Sequence, residues 1–235
     1  MKILALETSA RAVSAAVSGD GRILSSGYQD TGLTHSRTLM PIVEHLLKNA
    51  DLKLADMDAI AVAVGPGSFT GIRIGVAAAK GLAFAAEKPA VAVSTLAAMA
   101  RNVAFAGGLV VCAMDARRSQ VYNANFAAEN GSLTRLTADR AISLADLAQE
   151  LREQPGPITL VGDGARLAFD YLTEAGLPCR LAPPHLLMQN AASVALEAEA
   201  LAAQGALLDP QALLPLYLRP PQATPLKDRI TNFDK

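Results

Sequence analysis

"AVAVGPGSFTGIRIGVAAAKGLAFA", residues 61–85, joins an apolar run to a long alanine-rich segment through a turn of glycine and proline. The run at 59–64 is apolar throughout, which predicts a strand buried on both faces of a parallel sheet. The segment at 70–86 predicts a helix, and the apolar run at 90–93 predicts the next strand. A strand, a helix and a second strand in this order indicate a fold of the α/β class.

The residues before this unit predict an antiparallel meander and one more helix. Short apolar runs at 2–6, 12–18 and 22–28 have the character of strands. The turn Gly19-Asp20-Gly21 between the last two favours a hairpin. A helix is predicted at 36–49, because apolar side chains recur there at helical spacing. The predicted order of elements is therefore βββαβαβ.

The second half of the chain repeats this order. An apolar strand ends in Asp115, and aligning Asp115 with Glu7, which ends the first strand of the chain, also aligns the strands that follow. "ITLVGDGA", residues 158–165, then matches "AVAVGPGS", residues 61–68, with Val-Gly-x-Gly in both. Self-similarity of this kind marks a duplicated structural unit.

We therefore predict two tandem ribonuclease-H-like lobes, each a mixed βββαβα unit, with a cleft between them. The first lobe is predicted at 1–106 and the second at 107–219. Residues 220–235 are polar and rich in proline, which predicts a flexible tail. The helices predicted for the second lobe lie at 144–153, 166–175 and 190–204.

The composition is that of a soluble globular protein. Hydrophobic residues make up 51% and charged residues 18%, and the net charge is −1. A protein that binds RNA without a partner carries an excess of basic over acidic side chains, so any RNA contact of this chain is expected to be shared with a partner. No uncharged apolar stretch approaches the ~20 residues of a membrane span. We expect a cytoplasmic protein whose cysteines, Cys112 and Cys179, are free thiols.

The glycine-rich turn has two alternative interpretations, and the first is a phosphate site. No lysine follows the glycines in the Walker pattern, and Thr70 breaks the dinucleotide fingerprint G-x-G-x-x-G. Gly65, Gly67 and Ser68 nevertheless lie at a predicted helix start, where backbone amides favour an anion. A phosphate contact at these residues therefore stays open.

The second interpretation is architectural. Gly71, Gly75 and Ala79 recur every fourth residue along one face of the predicted helix. A glycine inside a helix costs about 1 kcal/mol relative to alanine, so a compensating contact is expected. Small residues let a second helix approach closely, either from this chain or from another protein. The helix is apolar nearly all round, which favours a protein–protein surface in addition to a core contact.

Glu7 and Asp115 close the first strands of the two predicted lobes. In two-lobed ATPases, acids at these positions face the cleft and handle magnesium-bound phosphates, so both are candidates for a nucleotide contact. Alternatively, each carboxylate accepts hydrogen bonds from amides of the turn after its strand. No metal site is predicted, because the histidines at 35, 45 and 185 lack the spacing of ligands. No G-x-S-x-G elbow is present to support a serine peptidase.

Six motifs resemble, in order and spacing, those of the bacterial TsaB (YeaZ) family of the actin-like ATPase superfamily. The similarity runs from residue 1 to about 219, and the motifs read "LALETS", "HSRTLMPIVEHLL", "DAIAVAVGPGSFTGIRIGVAAAKGLA", "AVSTLAAMA", "DARRSQVY" and "PLYLR". The resemblance implies a non-catalytic accessory subunit that binds and activates the catalytic paralogue TsaD in tRNA threonylcarbamoyladenosine formation at adenosine 37. The ATPase TsaE and the tRNA would join the complex. ATP or ADP would belong to the complex, with no cofactor for the isolated chain.

The resemblance also implies a heterodimer with TsaD through helices of the first lobe, and a homodimer when the chain is alone. The catalytic paralogue has an H-x-x-x-H metal motif after the strand that corresponds to 90–93. This chain has Thr95 and Met99 there, so that metal centre is not expected. The alternative function is an independent ATPase that uses Glu7 and Asp115 with magnesium. The candidate interface residues are Leu39, Ile42, Val43, Leu46, Gly71, Ile72, Arg73, Gly75, Val76 and Ala79.

Overall fold

The computed structural model describes residues 1–154 and 156–219, and the tail predicted at 220–235 lies outside the described residues. The first lobe consists of β1 (Lys2–Glu7), β2 (Val13–Gly19), β3 (Arg22–Gln29), α1 (His35–Asn49), β4 (Ala59–Gly65), α2 (Phe69–Ala86), β5 (Ala90–Ser94) and α3 (Thr95–Arg101). Its five strands lie in the order β3-β2-β1-β4-β5. The predicted meander and the parallel strands β4 and β5 are both present.

Both faces of this sheet are buried. Side chains alternate between the faces of a strand, so Leu4 and Leu6 pack in one cluster with α1 and α2. Ile3 and Ala5 pack in a second cluster on the opposite face. The sheet therefore needs a helical layer on each side.

The second lobe repeats the arrangement. It consists of β6 (Gly108–Asp115), β7 (Gln120–Glu129), β8 (Ser132–Arg135), β9 (Arg140–Ser143), α4 (Leu144–Leu151), β10 (Ile158–Val161), α5 (Ala165–Glu174) and β11 (Cys179–Leu181). The sheet order is β11-β10-β6-β7-β8, with β9 paired to β7. The sequence analysis missed β9 and β11, because strands of four and three residues are too short to show a period. The two sheets have matching topology, which confirms the tandem ribonuclease-H-like lobes.

The two meanders turn in the same way. The hairpin between β2 and β3 turns at Asp20 and Gly21, with φ angles of 52° and 76°. The hairpin between β7 and β8 turns at Asn130 and Gly131, with φ angles of 52° and 79°. Positive φ at both central residues is what a tight two-residue hairpin requires. The duplication therefore extends to the backbone of the turns.

The last helix corrects the predicted division of the chain. We predicted that the helix near 190–204 belongs to the second lobe, but α6 (Ala191–Ala203) packs on the sheet of the first lobe. Its Val194, Ala195 and Ala198 share a buried cluster with Ile3 and Ala5. The physical reason is that α1 and α2 cover one face of that sheet, and α6 supplies the layer on the other.

By length and composition, α2 is apolar enough to cross a membrane. It instead packs against β4, with Ile72, Val76 and Ala79 in the core of the first lobe. Its outer side carries the charged side chain of Arg73. We therefore interpret α2 as a core helix of the lobe.

Candidate functional site

A cleft of about 480 Å³ opens between the lobes, beyond the carboxyl ends of β4 and β6. Ligands of α/β folds commonly bind beyond the carboxyl ends of strands. Its lining is rich in charge: it includes the three arginines Arg11, Arg117 and Arg219 and the two acids Asp115 and Asp163. The cleft is therefore the polar site that the fold builds between its two halves.

The turn between β4 and α2 forms one wall of the cleft. Ser68 begins the helix, because its Oγ accepts a hydrogen bond from the Gly71 amide at 3.3 Å. The Ser68 amide donates to the Ser9 carbonyl at 2.7 Å, which fastens the turn to the segment after β1. A Cβ at Gly67 would collide with the same carbonyl. Gly67 is thus required for close backbone approach.

The predicted phosphate contacts divide into two groups. Gly67, Ser68 and Asp115 line the cleft, as a ligand contact would require. Gly65 does not line it, and the Leu216 carbonyl lies where a Cβ of Gly65 would be. Glu7 lies beneath the cleft, with 2% of its surface exposed. For Gly65 and Glu7, the structure assigns internal packing.

Glu7 and Asp115 have the same local geometry in the two lobes. The Ser9 amide donates to Glu7 Oε1 at 2.5 Å, and the Arg117 amide donates to Asp115 Oδ1 at 2.8 Å. Each acid therefore accepts a hydrogen bond from the amide two residues ahead, as in an Asx-type turn. The hydrogen bonds expected if each acid closes the turn after its strand are present at both positions.

The two acids differ in burial. Oε2 of Glu7 is buried and lacks a hydrogen-bond partner within the described residues. Loss of solvent raises the pKa of Glu7 to about 7, although the hydrogen bonds from Ser9 oppose the shift. Asp115 is exposed at the cleft. Only Asp115 of the pair presents its carboxylate to a ligand.

A third acid, Asp163, was missed by the sequence analysis. It follows β10 in the Val-Gly-x-Gly motif, at the position that Pro66 occupies in the first lobe, so the repeat itself was the available signal. Gln189 Nε2 donates to its Oδ1 at 3.0 Å. The pKa of Asp163 is raised, mainly because the cleft removes solvent from the carboxyl, although the residue as a whole remains exposed.

The structure corrects the prediction that a second helix approaches the small-residue face of α2. A Cβ at Gly71 would collide with the Thr8 carbonyl, and one at Gly75 would collide with Thr8 Oγ1. That hydroxyl donates to the Gly71 carbonyl at 2.8 Å. The glycines therefore admit the chain that leaves β1, not a second helix.

Most of the predicted interface side chains also lie in the interior of the first lobe. Seven of the predicted interface side chains share one hydrophobic cluster, because α1 and α2 turn the sides that carry them toward the sheet. Among the predicted interface residues, Arg73 is exposed. The seven buried side chains are Leu39, Ile42, Val43, Leu46, Ile72, Val76 and Ala79.

The outer side of α2 has a different composition. Arg73, Ala77, Gly81 and Ala85 follow one another at intervals of four along the exposed side, and Phe84 beside them is 75% exposed. A Cβ at Gly81 would meet nothing within 4 Å. We call these five residues the outer stripe of α2.

The described residues contain no group of three or more His, Cys, Asp or Glu side chains that could hold a metal ion. Thr95 and Met99 are buried in the interior. His35 Nε2 lies 2.8 Å from the Ala10 carbonyl, where it links α1 to the segment after β1. Cys112 and Cys179 are free thiols, as predicted.

The chain is similar to known proteins in both sequence and structure. The family model for TsaD, tRNA N6-adenosine threonylcarbamoyltransferase, matches residues 29–204. The tRNA threonylcarbamoyladenosine biosynthesis protein TsaB of Bacillus subtilis is 36% identical over 71% of this chain and 73% of its own length. The protein of the same name from Escherichia coli is 34% identical over 77% of this chain and 79% of its own length.

The chain belongs to the TsaB family. The fold agrees with this assignment: YeaZ from Pseudomonas aeruginosa superposes with a TM-score of 0.79 at 30% identity, covering 92% of this chain and 99% of that one. The TsaB resemblance stated from sequence motifs is thereby confirmed.

Proposed function

We propose that this TsaB-family chain acts in tRNA threonylcarbamoyladenosine biosynthesis as a non-catalytic accessory subunit that binds and activates a TsaD paralogue. Family membership supports the pathway. The observation that carries the binding role is the outer stripe of α2, because it combines a large exposed aromatic ring with a helical glycine that nothing in the described chain explains.

Gly81 locates the proposed contact. A glycine in a helix interior costs about 1 kcal/mol relative to alanine, and the space left by its missing side chain holds no group of the described residues. A partner helix that crosses Ala77 and Gly81 gains close backbone approach, with Phe84 as an aromatic anchor at its edge. Met40 and Pro41 are further exposed apolar residues, on the outer side of α1. The proposed interface thus keeps α1 and α2 but uses their outer faces.

The accessory role is supported by the state of the cleft acids. Glu7 is buried and turned into the first lobe, and Asp115 accepts the amide of its own turn. The net charge of −1 supports tRNA contact through the assembled complex. We further propose that TsaE and any ATP or ADP belong to that complex, that the chain pairs with itself when alone, and that it works in the cytoplasm.

The test is a leucine at the outer stripe. Gly81→Leu should fold normally, because its side chain points into open space, and it should weaken binding to the TsaD paralogue at least about tenfold, or about 1.4 kcal/mol. Ala145→Leu, on the exposed side of α4 in the second lobe, is the matched control and should bind like the wild type. Titration calorimetry and a tRNA modification assay measure both effects. A folded Gly81→Leu chain with unchanged affinity would refute the interface.

A second candidate function is an independent magnesium-dependent ATPase, favoured by the three arginines that line the cleft. It requires the isolated chain to bind ATP with magnesium and to lose that binding in Asp115→Ala or Glu7→Ala. Calorimetry on the isolated chain distinguishes the two functions. Absence of magnesium-dependent binding excludes the ATPase.

A further inference from the structure

Residues 213–219 form a strap that runs along the first lobe and ends over the cleft. Leu213 is fully buried in the core of the first lobe. The Leu216 amide donates to the Val64 carbonyl at 2.8 Å, beside the end of β4. The strap is therefore anchored to the first lobe by a buried side chain and a backbone hydrogen bond.

Tyr217 provides the third anchor. Its ring stacks on Phe69, with centroids 4.5 Å apart and an interplanar angle of 17°. Arg73 Nε donates to the Tyr217 hydroxyl at 2.8 Å, and the guanidinium carbon lies 5.6 Å from the centroids of both rings. A stacked pair under a cation of this kind fixes the position of the strap against the start of α2.

Arg219 then reaches the second lobe. Its Nη1 donates to the Ala116 carbonyl at 2.6 Å, and its guanidinium carbon lies 5.8 Å from the centroid of the Tyr122 ring. Ala116 directly follows β6, and Tyr122 lies in β7, so both contacts belong to the second lobe. Arg219 also lines the cleft. One side chain thus joins a strap fixed to the first lobe to the second lobe across the cleft.

We propose that this strap holds the cleft closed, with Arg219 as its clasp. A charged donor on a carbonyl gives a stronger hydrogen bond than a neutral pair, and the ring of Tyr122 restricts where the guanidinium can lie. Release of Arg219 removes the contact between strap and second lobe while leaving the three anchors in the first lobe intact. The lobes then separate at the cleft.

The strap also touches the outer stripe of α2 through Arg73. This step rests on the proposed function. A partner that docks on the outer stripe then contacts the side chain of Arg73, which positions Tyr217. Docking and cleft closure are then linked through Arg73, Tyr217 and Arg219. The strap is the physical connection between the docking surface and the cleft.

The clasp is tested in the isolated full chain by electron-spin distance measurement. Spin labels are placed at Ala55→Cys in the first lobe and Glu174→Cys in the second, both exposed, in a Cys179→Ser background with buried Cys112 retained. Dilution with unlabelled chain removes distances between molecules. Arg219→Ala should give a longer and broader distance distribution than the wild type. Arg118→Ala, which removes an exposed arginine of the second lobe outside the cleft lining, should leave the distribution unchanged.

An Arg219→Ala distribution that overlies the wild-type one overturns the clasp, as does an equal shift in Arg118→Ala. The link to docking is tested by adding the TsaD paralogue to the labelled chain and to its Tyr217→Phe variant. A shift in the first chain that is lost in the variant supports the link. If the paralogue binds without any shift, the link is wrong and the proposed function stands. If it does not bind, the proposed function fails and the isolated-chain result alone decides the clasp.

Discussion

Glu7 and Asp115 end equivalent strands and make equivalent hydrogen bonds, yet burial gives them different chemistry. Glu7 lies under the segment that leaves β1, where its second carboxylate oxygen has no partner within the described residues. Asp115 faces the cleft. At the residue scale, the first lobe has a structural acid where the second lobe has an accessible one.

The raised pKa of Glu7 predicts a pH-dependent stability. Because its folded pKa of about 7 exceeds the ordinary glutamate pKa of 4.5, the unfolded chain ionises first as pH rises. The stabilising contribution is complete below about pH 4.5 and is lost as pH rises through 7, a change on the order of 3 kcal/mol. Glu7→Gln cannot ionise, so its stability relative to the wild type should increase between pH 5 and pH 8. Urea unfolding at several pH values measures the difference.

The control is Glu44→Gln, which removes an exposed carboxylate from α1. Its stability relative to the wild type should change little over the same pH range. A constant difference between Glu7→Gln and the wild type from pH 5 to pH 8 would contradict the burial account.

At the scale of elements, α2 has glycines on two sides for two different reasons. On the inner side, Gly71 and Gly75 admit Thr8 against the helix backbone. On the outer side, a Cβ at Gly81 would meet no other group of the described chain. The same residue type therefore serves packing on one side and, in our proposal, recognition on the other.

Two alanine substitutions in this helix should change stability in opposite directions. Gly71→Ala places a Cβ against the Thr8 carbonyl and should lower the free energy of unfolding by about 1–3 kcal/mol. In Gly81→Ala the new Cβ meets no group of residues 1–154 and 156–219, and the change should raise the free energy of unfolding by up to about 1 kcal/mol because alanine favours the helix. Chemical denaturation of both variants measures the pair. A stabilised Gly71→Ala would show that the collision relaxes without cost.

At the scale of the whole molecule, the chain builds the first lobe from both of its ends. Strands β1 to β5 form the sheet, α1 and α2 form one helical layer on it, and α6 and Leu213 return from the far end of the chain to complete the hydrophobic clusters on its two faces. The lobes are thus interleaved in sequence, and their unfolding should be coupled.

The packing of the far end of the chain on the first lobe can be tested at the adjacent residues Leu213 and Leu214. Leu213 is 0% exposed and Leu214 is 67% exposed, although they are chemically identical. Leu213→Ala should reduce the free energy of unfolding by about 2–5 kcal/mol. Leu214→Ala should change it by no more than about 0.5 kcal/mol. Thermal or urea unfolding followed by circular dichroism distinguishes them, and equal effects would refute the packing of the strap on the first lobe.

Much of the architecture was predictable from local pattern. Both sheets and the duplication were predicted from features that depend on residues close in sequence. These features are the apolar run before Gly65, the hairpin turns and the repeated Val-Gly-x-Gly motif. The short strands β9 and β11 were not predictable, because three or four residues carry no clear period. Part of the cleft was predicted through Gly67, Ser68 and Asp115, while Asp163 and Arg219 were missed.

The amino-acid sequence by itself determined the α/β class, the repeated unit and the TsaB family, because strand periodicity, turn chemistry and motif spacing are local properties. Tertiary structure decided which side of α2 is buried, because most of the helix is apolar and the segment at Thr8 packs against Gly71 and Gly75 on one side only. It also decided that α6 and the strap belong to the first lobe. A sequence pattern does not specify which sheet a distant segment covers, because that depends on which apolar face the rest of the chain leaves open.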